Sequence, residues 1–454
     1  MKKLLLINPV RKKSGYLLSR FTRFPPLGLA YLAGVTPDDW DVKILDENFD
    51  PFVFEEADLV GITAFTSSIN RAYEISGMYK NAGIPVVLGG IHASMIEDEV
   101  LNFADAVVAG ECESVWPELL KDFEAGNLKR VYRGERIDLS DYPPRPRRDL
   151  LDERYVWQTI QTSRGCPFNC TFCSVTKYLG SGFRQRSAED VLDELEEMPG
   201  RYVAFVDDNL IGSTAESRDR ARKIFQGMID RKLKKRWWMQ TSINAAADED
   251  LLRLAARSGC YTAFIGFETI DQAGLKAMHK GVNVKIGVDG YKSVVNTFHK
   301  FGIGVMGGFI IGNDFESAAY YRRFGEFLVK SGIDICQISI LTPLPGTDLY
   351  QKMKEENKLV DNSFPKDWEK YRLSRVVHRA EGVEADMIYR GDNYLKKKIY
   401  TGFGMISRMI KSALALRRPF RIAGILILNR AMKRSWMKSY YYSRFPHDLG
   451  DADE

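Results

Sequence analysis

Short apolar runs recur through the first 140 residues, at 4–7, 42–45, 59–63, 86–88 and 106–108, with helical stretches at 69–81 and 97–103 between them. Strands alternating with helices at this spacing predict a doubly wound parallel α/β sheet. Ligands of such sheets bind beyond the carboxyl ends of the strands. The residues at those ends are Asn8-Pro9, Asp46-Glu47-Asn48, Thr63-Ala64-Phe65-Thr66, Gly89-Gly90-Ile91-His92 and Gly110-Glu111.

A second alternation follows. Residues 156–162, 202–206, 237–243, 261–267, 303–311 and 335–341 read as strands. Residues 187–198, 215–229, 248–258, 285–299 and 316–331 read as helices, the first opened by a capping-box-like Ser187-Ala188-Glu189-Asp190. Six βα units predict a partial, open parallel barrel whose site lies at the carboxyl ends of its strands. Asp207 and Asp208 follow the second of these strands and Glu268 the fourth. Each acid is equally readable as a helix cap or a solvated loop residue. The fifth strand carries Gly307, Gly308, Ile310 and Gly312, and Leu341 opens the segment after the sixth. The expected organisation is an α/β domain at 1–140, a barrel at 150–350, and a mainly helical region at 351–454. In that last region Trp368 and Tyr371 either line a substrate cavity or simply pack.

A chain of 454 residues fits two or three domains, and 45% hydrophobic with 28% charged residues is the balance of a soluble globular protein. No apolar run approaches the ~20 residues of a membrane span. The opening Met1-Lys2-Lys3 and its apolar run are too short for a signal peptide, which predicts a cytoplasmic protein. The net charge of +5 conceals an asymmetry. Residues 393–447 hold 13 Lys or Arg and no acid, leaving 52 basic against 60 acidic side chains elsewhere. With Phe403, Ile406, Ile410 and Leu414 in a stripe, and Trp436, Tyr440, Tyr441, Tyr442 and Phe445 beyond, this stretch reads as a peripheral contact on the inner face of the cell membrane. The alternative is a tail packed on its own protein. Nucleic acid is not an expected partner, because no RNA-binding module is readable.

The sharpest chemical feature is Cys166, Cys170 and Cys173, a Cys-x3-Cys-x2-Cys triplet within eight residues. A structural zinc site and an ordinary cubane each want four protein ligands, and here a fourth is missing. Cys112, Cys260 and Cys336 lie far off in sequence, and no His falls within 70 residues of the triplet. Three thiolates leave one iron of a cluster open to substrate or cofactor. The competing readings are a zinc knuckle, a disulfide with a spare thiol, and three unrelated core cysteines. Cys260 and Cys336, at strand beginnings, read as buried small hydrophobes.

The triplet resembles the signature of the radical S-adenosylmethionine (SAM) enzymes. Together with Phe24-Pro25-Pro26-Leu27-Gly28-Leu29-Ala30 and the loops of the first domain, it makes the chain similar to the cobalamin-dependent members, including hopanoid C-methylases and anaerobic magnesium-protoporphyrin ester cyclases. The resemblance implies a [4Fe–4S] cluster on Cys166, Cys170 and Cys173. It further implies SAM held near Phe172, Asp207, Asp208, Glu268, Gly308, Ile310 and Leu341, and reduced to a 5′-deoxyadenosyl radical. An external reductant such as flavodoxin or ferredoxin would supply the electron. Cobalamin is implied over Thr63, Phe65, Thr66, Gly89, Gly90, His92, Gly110 and Glu111. The usual Gly-Gly-Glu of the SAM amino site is replaced by Asp207-Asp208-Asn209, and the cobalt-ligating Asp-x-His-x-x-Gly is absent. Both departures leave the corresponding contacts open, and His92 is as readable as a loop residue capping a turn. The implied reaction is methylation of an unactivated carbon, and the basic stretch tilts the expected substrate towards a hydrophobic lipid or pigment. Ring formation or oxidation without methyl transfer is the enzymatic alternative, and a non-catalytic cobalamin or cluster sensor the other.

Overall fold

The computed structural model describes residues 1–10, 22–140, 145–416 and 419–450. The first sheet is built from β1 (Lys2–Asn8), β2 (Trp40–Asp46), β3 (Leu59–Thr63), β4 (Val86–Gly89), β5 (Ala106–Gly110) and β6 (Val131–Gly134). They lie in the order β2-β1-β3-β4-β5-β6, and all the pairs are parallel. Alternate residues face two separate cores. Leu5, Ile7, Val60, Ile62 and Leu88 point one way, and Leu4, Leu6, Leu59, Val87 and Val108 the other. Burial on both faces explains why these strands are apolar throughout. Strand β6 was not read from the sequence; Val131-Tyr132-Arg133-Gly134 is too short and too polar to stand out.

The second sheet comprises β7 (Gln158–Ile160), β10 (Tyr202–Phe205), β11 (Arg236–Thr241), β12 (Cys260–Glu268), β13 (Gly304–Ile311) and β14 (Ile335–Ile340). Its order is β14-β13-β12-β11-β10-β7, parallel throughout, with the two outer strands unpaired to each other, so the barrel is open. A small antiparallel pair, β8 (Ser163–Arg164) and β9 (Arg184–Gln185), flanks the cysteine loop. The helix expected over 285–299 is two, Gly281–Ile286 and Tyr291–Lys300, because Gly287 adopts φ +76° and breaks it.

The segment after β14 packs on the first sheet. Leu341, Tyr350, Leu359, Trp368, Tyr371 and Val377 share one core with the first sheet. Trp368 stacks on Phe364 and donates its indole N–H to Glu99, so it packs rather than lining a cavity.

The basic stretch is part of the fold as well. Helices Ala385–Tyr400, Gly402–Leu416 and Pro419–Met437 close the amino-terminal end of the barrel. Arg408 donates to the carbonyls of Ile333, Asp334 and Ile399. Arg421 reaches the carbonyls of Gly302 and Cys260, at the starts of β13 and β12. Both cations are therefore taken up by backbone carbonyls of the barrel end and of the helix Ala385–Tyr400 instead of seeking an outside partner. Trp436 and Tyr441 are buried, and Phe445 stacks on Tyr389. That corrects the reading of these three aromatics as surface anchors: the ring cluster around Tyr389 and the Asn393 amide, which accepts from Trp436 Nε1 at 2.8 Å, draws them inward.

Candidate active site at the junction of the two sheets

The cysteine loop leaves β8 through Gly165, whose φ of +87° and close approach to the Gly182 carbonyl exclude a side chain. Contacts from several directions then hold the loop. Thr171 donates its backbone N–H to Met278, Leu349 donates to Thr171, and Thr176 Oγ1 donates to the Phe168 carbonyl. Phe172 packs against the core shared with the first sheet. All six cysteines are free thiols. Burial raises the three of the loop, Cys170 to about 11, so binding iron must displace protons. Among the described residues no trio of His, Cys, Asp or Glu closes on a single metal ion. Three free thiols on one short loop, with no fourth ligand beside them among the described residues, fit a cubane, where each takes a different iron, better than a tetrahedral zinc site.

Two acidic side chains differ in where they turn. Asp207 is fully buried and accepts from the Thr162 backbone N–H at 3.0 Å, from Thr162 Oγ1 at 2.8 Å and from Ser163 Oγ at 2.5 Å. Through Oδ1 it anchors the strand that feeds the cysteine loop. Asp208 carries no such partners. Burial, and then the Asp207 charge beside it, push its carboxyl up to about 7, and its charge is felt at Cys166 and Cys173. Of the two acids it is the one without a hydrogen-bonded side-chain partner among the described residues.

Glu268 sits where the pairing of β12 with β13 slips, at φ +66°, a conformation that costs a non-glycine residue about 1–3 kcal/mol. Asn283 and Tyr291 hold the bulge through the Phe267 carbonyl at 3.2 and 2.8 Å. The carboxylate bonds Lys280 Nζ at 2.6 Å. Lys280 was not singled out in the sequence; it lies past the strand end in a helical connection, and only its position in space marks it. Burial works against its charge, but Glu268 and then Cys170 raise its pKa above the ordinary lysine value. Gly308 lies under the Phe264 ring, while Ile310 and Leu341 share the apolar cluster of Phe172.

The carboxyl edge of the first sheet meets this loop. Arg164, two residues before Cys166, is buried between Glu111 at 2.8 Å and Glu113 at 2.5 Å, and Arg184 also pairs with Glu111. Tyr178 Oη donates to the Gly110 carbonyl at 3.3 Å. Glu111, expected at the corrin, is thus committed to the clamp between the sheets. His92 is also turned inward: it is fully buried, with Nδ1 3.2 Å from Thr66 Oγ1, Nε2 3.6 Å from Glu99 and its ring edge-on to Trp368. That burial places His92 in an enclosed pocket rather than on an open turn. The glycines serve loop packing. A Cβ on Gly90 would meet Thr63 Oγ1 at 2.6 Å, and one on Gly110 the Gly134 carbonyl at 2.4 Å, whereas Gly89 has ordinary clearance. Ser94 joins these loops, accepting from the Gly110 N–H and donating to the Gly90 carbonyl. What the edge leaves open is Phe65, 71% exposed, between Thr63 and the buried Thr66. The edge therefore offers backbone, glycine and one aromatic face, a surface suited to a large flat group.

Residues 14–120 match the B12 binding domain family and residues 160–328 the radical SAM superfamily. The chain is 30% identical to bacteriochlorophyllide d C-12(1)-methyltransferase of Chlorobaculum tepidum, over 90% of this chain and 89% of that one. It is 29% identical to hopanoid C-2 methylase of Rhodopseudomonas palustris, over 74% and 65% respectively. The anaerobic magnesium-protoporphyrin IX monomethyl ester cyclase of Cereibacter sphaeroides is 26% identical over 83% and 68%. In fold, the chain matches the radical SAM methyltransferase TsrM of Kitasatospora setae, solved with cobalamin and a [4Fe-4S] cluster (TM-score 0.67, 16% identity, 96% of this chain and 99% of that one). An N-terminal B12-binding sheet joined to an open radical SAM barrel defines a class of enzyme. The chain belongs to the cobalamin-dependent radical SAM methyltransferase family.

Proposed function

We propose that this enzyme methylates an unactivated carbon of an apolar pigment or lipid, held between the carboxyl ends of the two sheets. The observation that carries the reading is the convergence there of three unpaired thiols, Asp208 and the Lys280–Glu268 pair on one side with the open Phe65 edge on the other. The relatives that methylate bacteriochlorophyllide and hopanoid support the substrate class. When bound, the [4Fe–4S] cluster, SAM and cobalamin supply hydrogen abstraction and the methyl group.

The chain's own part is binding and orientation. Cys166, Cys170 and Cys173 would hold the cluster. Asp208, once ionised, would pair with the SAM ammonium group. Lys280 would meet the SAM carboxylate, and its release from Glu268 would leave the Glu268 side chain to the ribose hydroxyls. Phe172, Gly308, Ile310 and Leu341 bound the adenine. Thr63, Phe65, Gly89 and Gly90 would bear on the corrin, while His92 stays in its buried pocket. A flavodoxin- or ferredoxin-type reductant supplies the electron.

The test is anaerobic turnover with methyl-labelled SAM in extracts containing candidate pigments and lipids. Label in an apolar product, absent for Cys170→Ala, is the expected result. SAM cleavage without label transfer would move the assignment to ring formation or oxidation, the chemistry named for the cyclase relative. Absence of SAM cleavage in a cluster-replete protein would leave a sensor.

A further inference from the structure

The helix Gly402–Leu416 has two faces. Gly404, Arg408, Ser412 and Leu416, spaced by four, are buried against the barrel. Opposite them Phe403, Ile406, Ile410 and Leu414 are 80%, 60%, 55% and 70% exposed. The neighbouring helix Pro419–Met437 adds exposed Ile427 and Met437. Seven of the fifteen exposed large apolar side chains among the described residues fall between Phe403 and Tyr440, so the patch is not the usual scatter of surface hydrophobes. The inner face fixes the helix in place. Arg408 is spent on three backbone carbonyls, so the stripe is held outward by the fold rather than by chance of a loose tail.

Charge selects the occupant. Residues 393–447 contain no acid. Arg430 and Arg434 on the neighbouring helix, and Lys438 just past its end, are exposed. A second copy docked face to face would set these cations against their own counterparts with no carboxylate from either helix to answer them. Nucleic acid would accept the cations but would leave an aliphatic stripe, offering one ring for stacking, against water. An anionic bilayer satisfies both features at once, because an in-plane helix buries its apolar face ~5–10 Å deep while flanking cations meet headgroups. No described helix is long and apolar enough to cross a membrane.

We infer that this face is a membrane-docking surface, with Phe403, Ile406, Ile410 and Leu414 inserted among the acyl chains of an anionic leaflet and Arg430, Arg434 and Lys438 on its phosphates. The helices cover the amino-terminal end of the barrel, as the contacts of Arg408 and Arg421 locate them. The surface therefore anchors the enzyme while the junction of the two sheets, at the opposite strand ends, stays clear. The inference goes beyond the catalytic reading and is independent of which carbon is methylated.

The experiment uses the full-length, cluster-loaded protein and vesicles of phosphatidylglycerol mixed with phosphatidylcholine, with pure phosphatidylcholine as the comparison. Sedimentation with the anionic vesicles at low salt is expected, reduced but not lost at high salt. The combined variant Phe403→Ser, Ile406→Ser, Ile410→Ser, Leu414→Ser should partition about tenfold less or lower at high salt, since each loses a large apolar side chain from the bilayer. Arg430→Gln with Arg434→Gln and Lys438→Gln should weaken low-salt binding and leave the salt-resistant part. Iron content and SAM cleavage should be unchanged in both, which separates lost docking from lost fold or lost chemistry. Wild-type protein that stays in solution with anionic vesicles would overturn the inference. So would a serine variant that binds like wild type, or a wild-type dimer that the serine variant converts to monomer. The last outcome would assign the face to a second copy.

Discussion

The two sheets share a parallel architecture and present opposite kinds of edge. The barrel edge keeps charged side chains in hand: Asp208 without a hydrogen-bonded partner of the kind Asp207 has, and Glu268 held by Lys280 alone. The first sheet has spent its titratable groups. Glu111 is clamped by Arg164 and Arg184, His92 is enclosed by Thr66, Glu99 and Trp368, and Asp46 is bonded to Asn8 and Tyr155. A small zwitterion such as SAM is recognised by fixed opposing charges, which are worth most where water is excluded. A broad flat cofactor is recognised by shape, and charged groups beneath it would have to be desolvated at a cost. The difference between the edges follows from the difference between the ligands.

The largest effect expected from testing this comparison lies where the edges join. Replacing Arg164 by Met leaves Glu111 and Glu113 buried with reduced compensation, and breaking one partner of such a pair costs about 3–5 kcal/mol. Loss of cobalamin and cluster together, although neither set of loops is altered, is the expected result. Retention of both cofactors with unchanged thermal stability would show that the clamp does not set the docking of the sheets. The pH dependence has a defined sign. Burial raises the Glu111 pKa, but the Arg184 hydrogen bond and the Arg164 charge outweigh it and hold the pKa below the ordinary 4.5. A carboxyl depressed in the folded state contributes fully above its unfolded value and is lost as pH falls through the folded one. Wild-type stability should therefore decline below about pH 4.5, and Arg164→Met should flatten that part of the profile. Calorimetry across that range reads it.

Much of this arrangement was legible beforehand, and the exceptions have physical causes. Period and apolarity located the strands because parallel strands buried on both faces carry an unbroken signal, as at Leu59–Thr63 and Ile335–Ile340. Cys166, Cys170 and Cys173 announced themselves by spacing. Sequence position could not say which of two adjacent acids is taken up by Thr162 and Ser163, because Asp207 and Asp208 sit side by side in the loop after β10 and only the folded chain brings those partners to one of them. Lys280 was invisible for a related reason: a lysine in a helical connection looks like any solvated lysine until the chain folds it over Glu268. The basic stretch was misjudged in part because charge composition does not separate Arg408 and Arg421, which cap strand carbonyls, from Arg430 and Arg434, which face water.

An intermediate effect is expected at the barrel edge. Lys280→Met should weaken SAM binding by about tenfold or more, the scale of a lost charge-assisted hydrogen bond. Lys280→Arg should recover part of it. Asp208→Asn should weaken binding as well, while Asp207→Asn should act through stability and cluster yield, since its partners are Thr162 and Ser163. Equilibrium binding of SAM to reconstituted protein separates these. Equal losses for Asp207→Asn and Asp208→Asn in affinity alone would erase the distinction between the two acids.

The smallest effect is expected at His92, and it is the sharpest test of the first sheet's edge. The imidazole lies beneath the loops, wholly enclosed, with Thr66 on Nδ1, Glu99 facing Nε2 and Trp368 against its ring. To ligate cobalt it would have to abandon all three and pass the loop that carries Thr66. His92→Ala should therefore leave the electron paramagnetic resonance spectrum of the cob(II)alamin state unchanged. It should cost stability by about 1–3 kcal/mol, because the Glu99 carboxylate loses its imidazole neighbour and keeps only Tyr73 and Trp368 as donors. Glu99→Gln should destabilise in the same way and likewise spare the spectrum. Axial nitrogen splitting in the wild type that disappears in His92→Ala would mean that the loop opens to release the histidine. The first edge would then use a side chain after all, and the contrast with the barrel would rest on Glu111 and Asp46 alone.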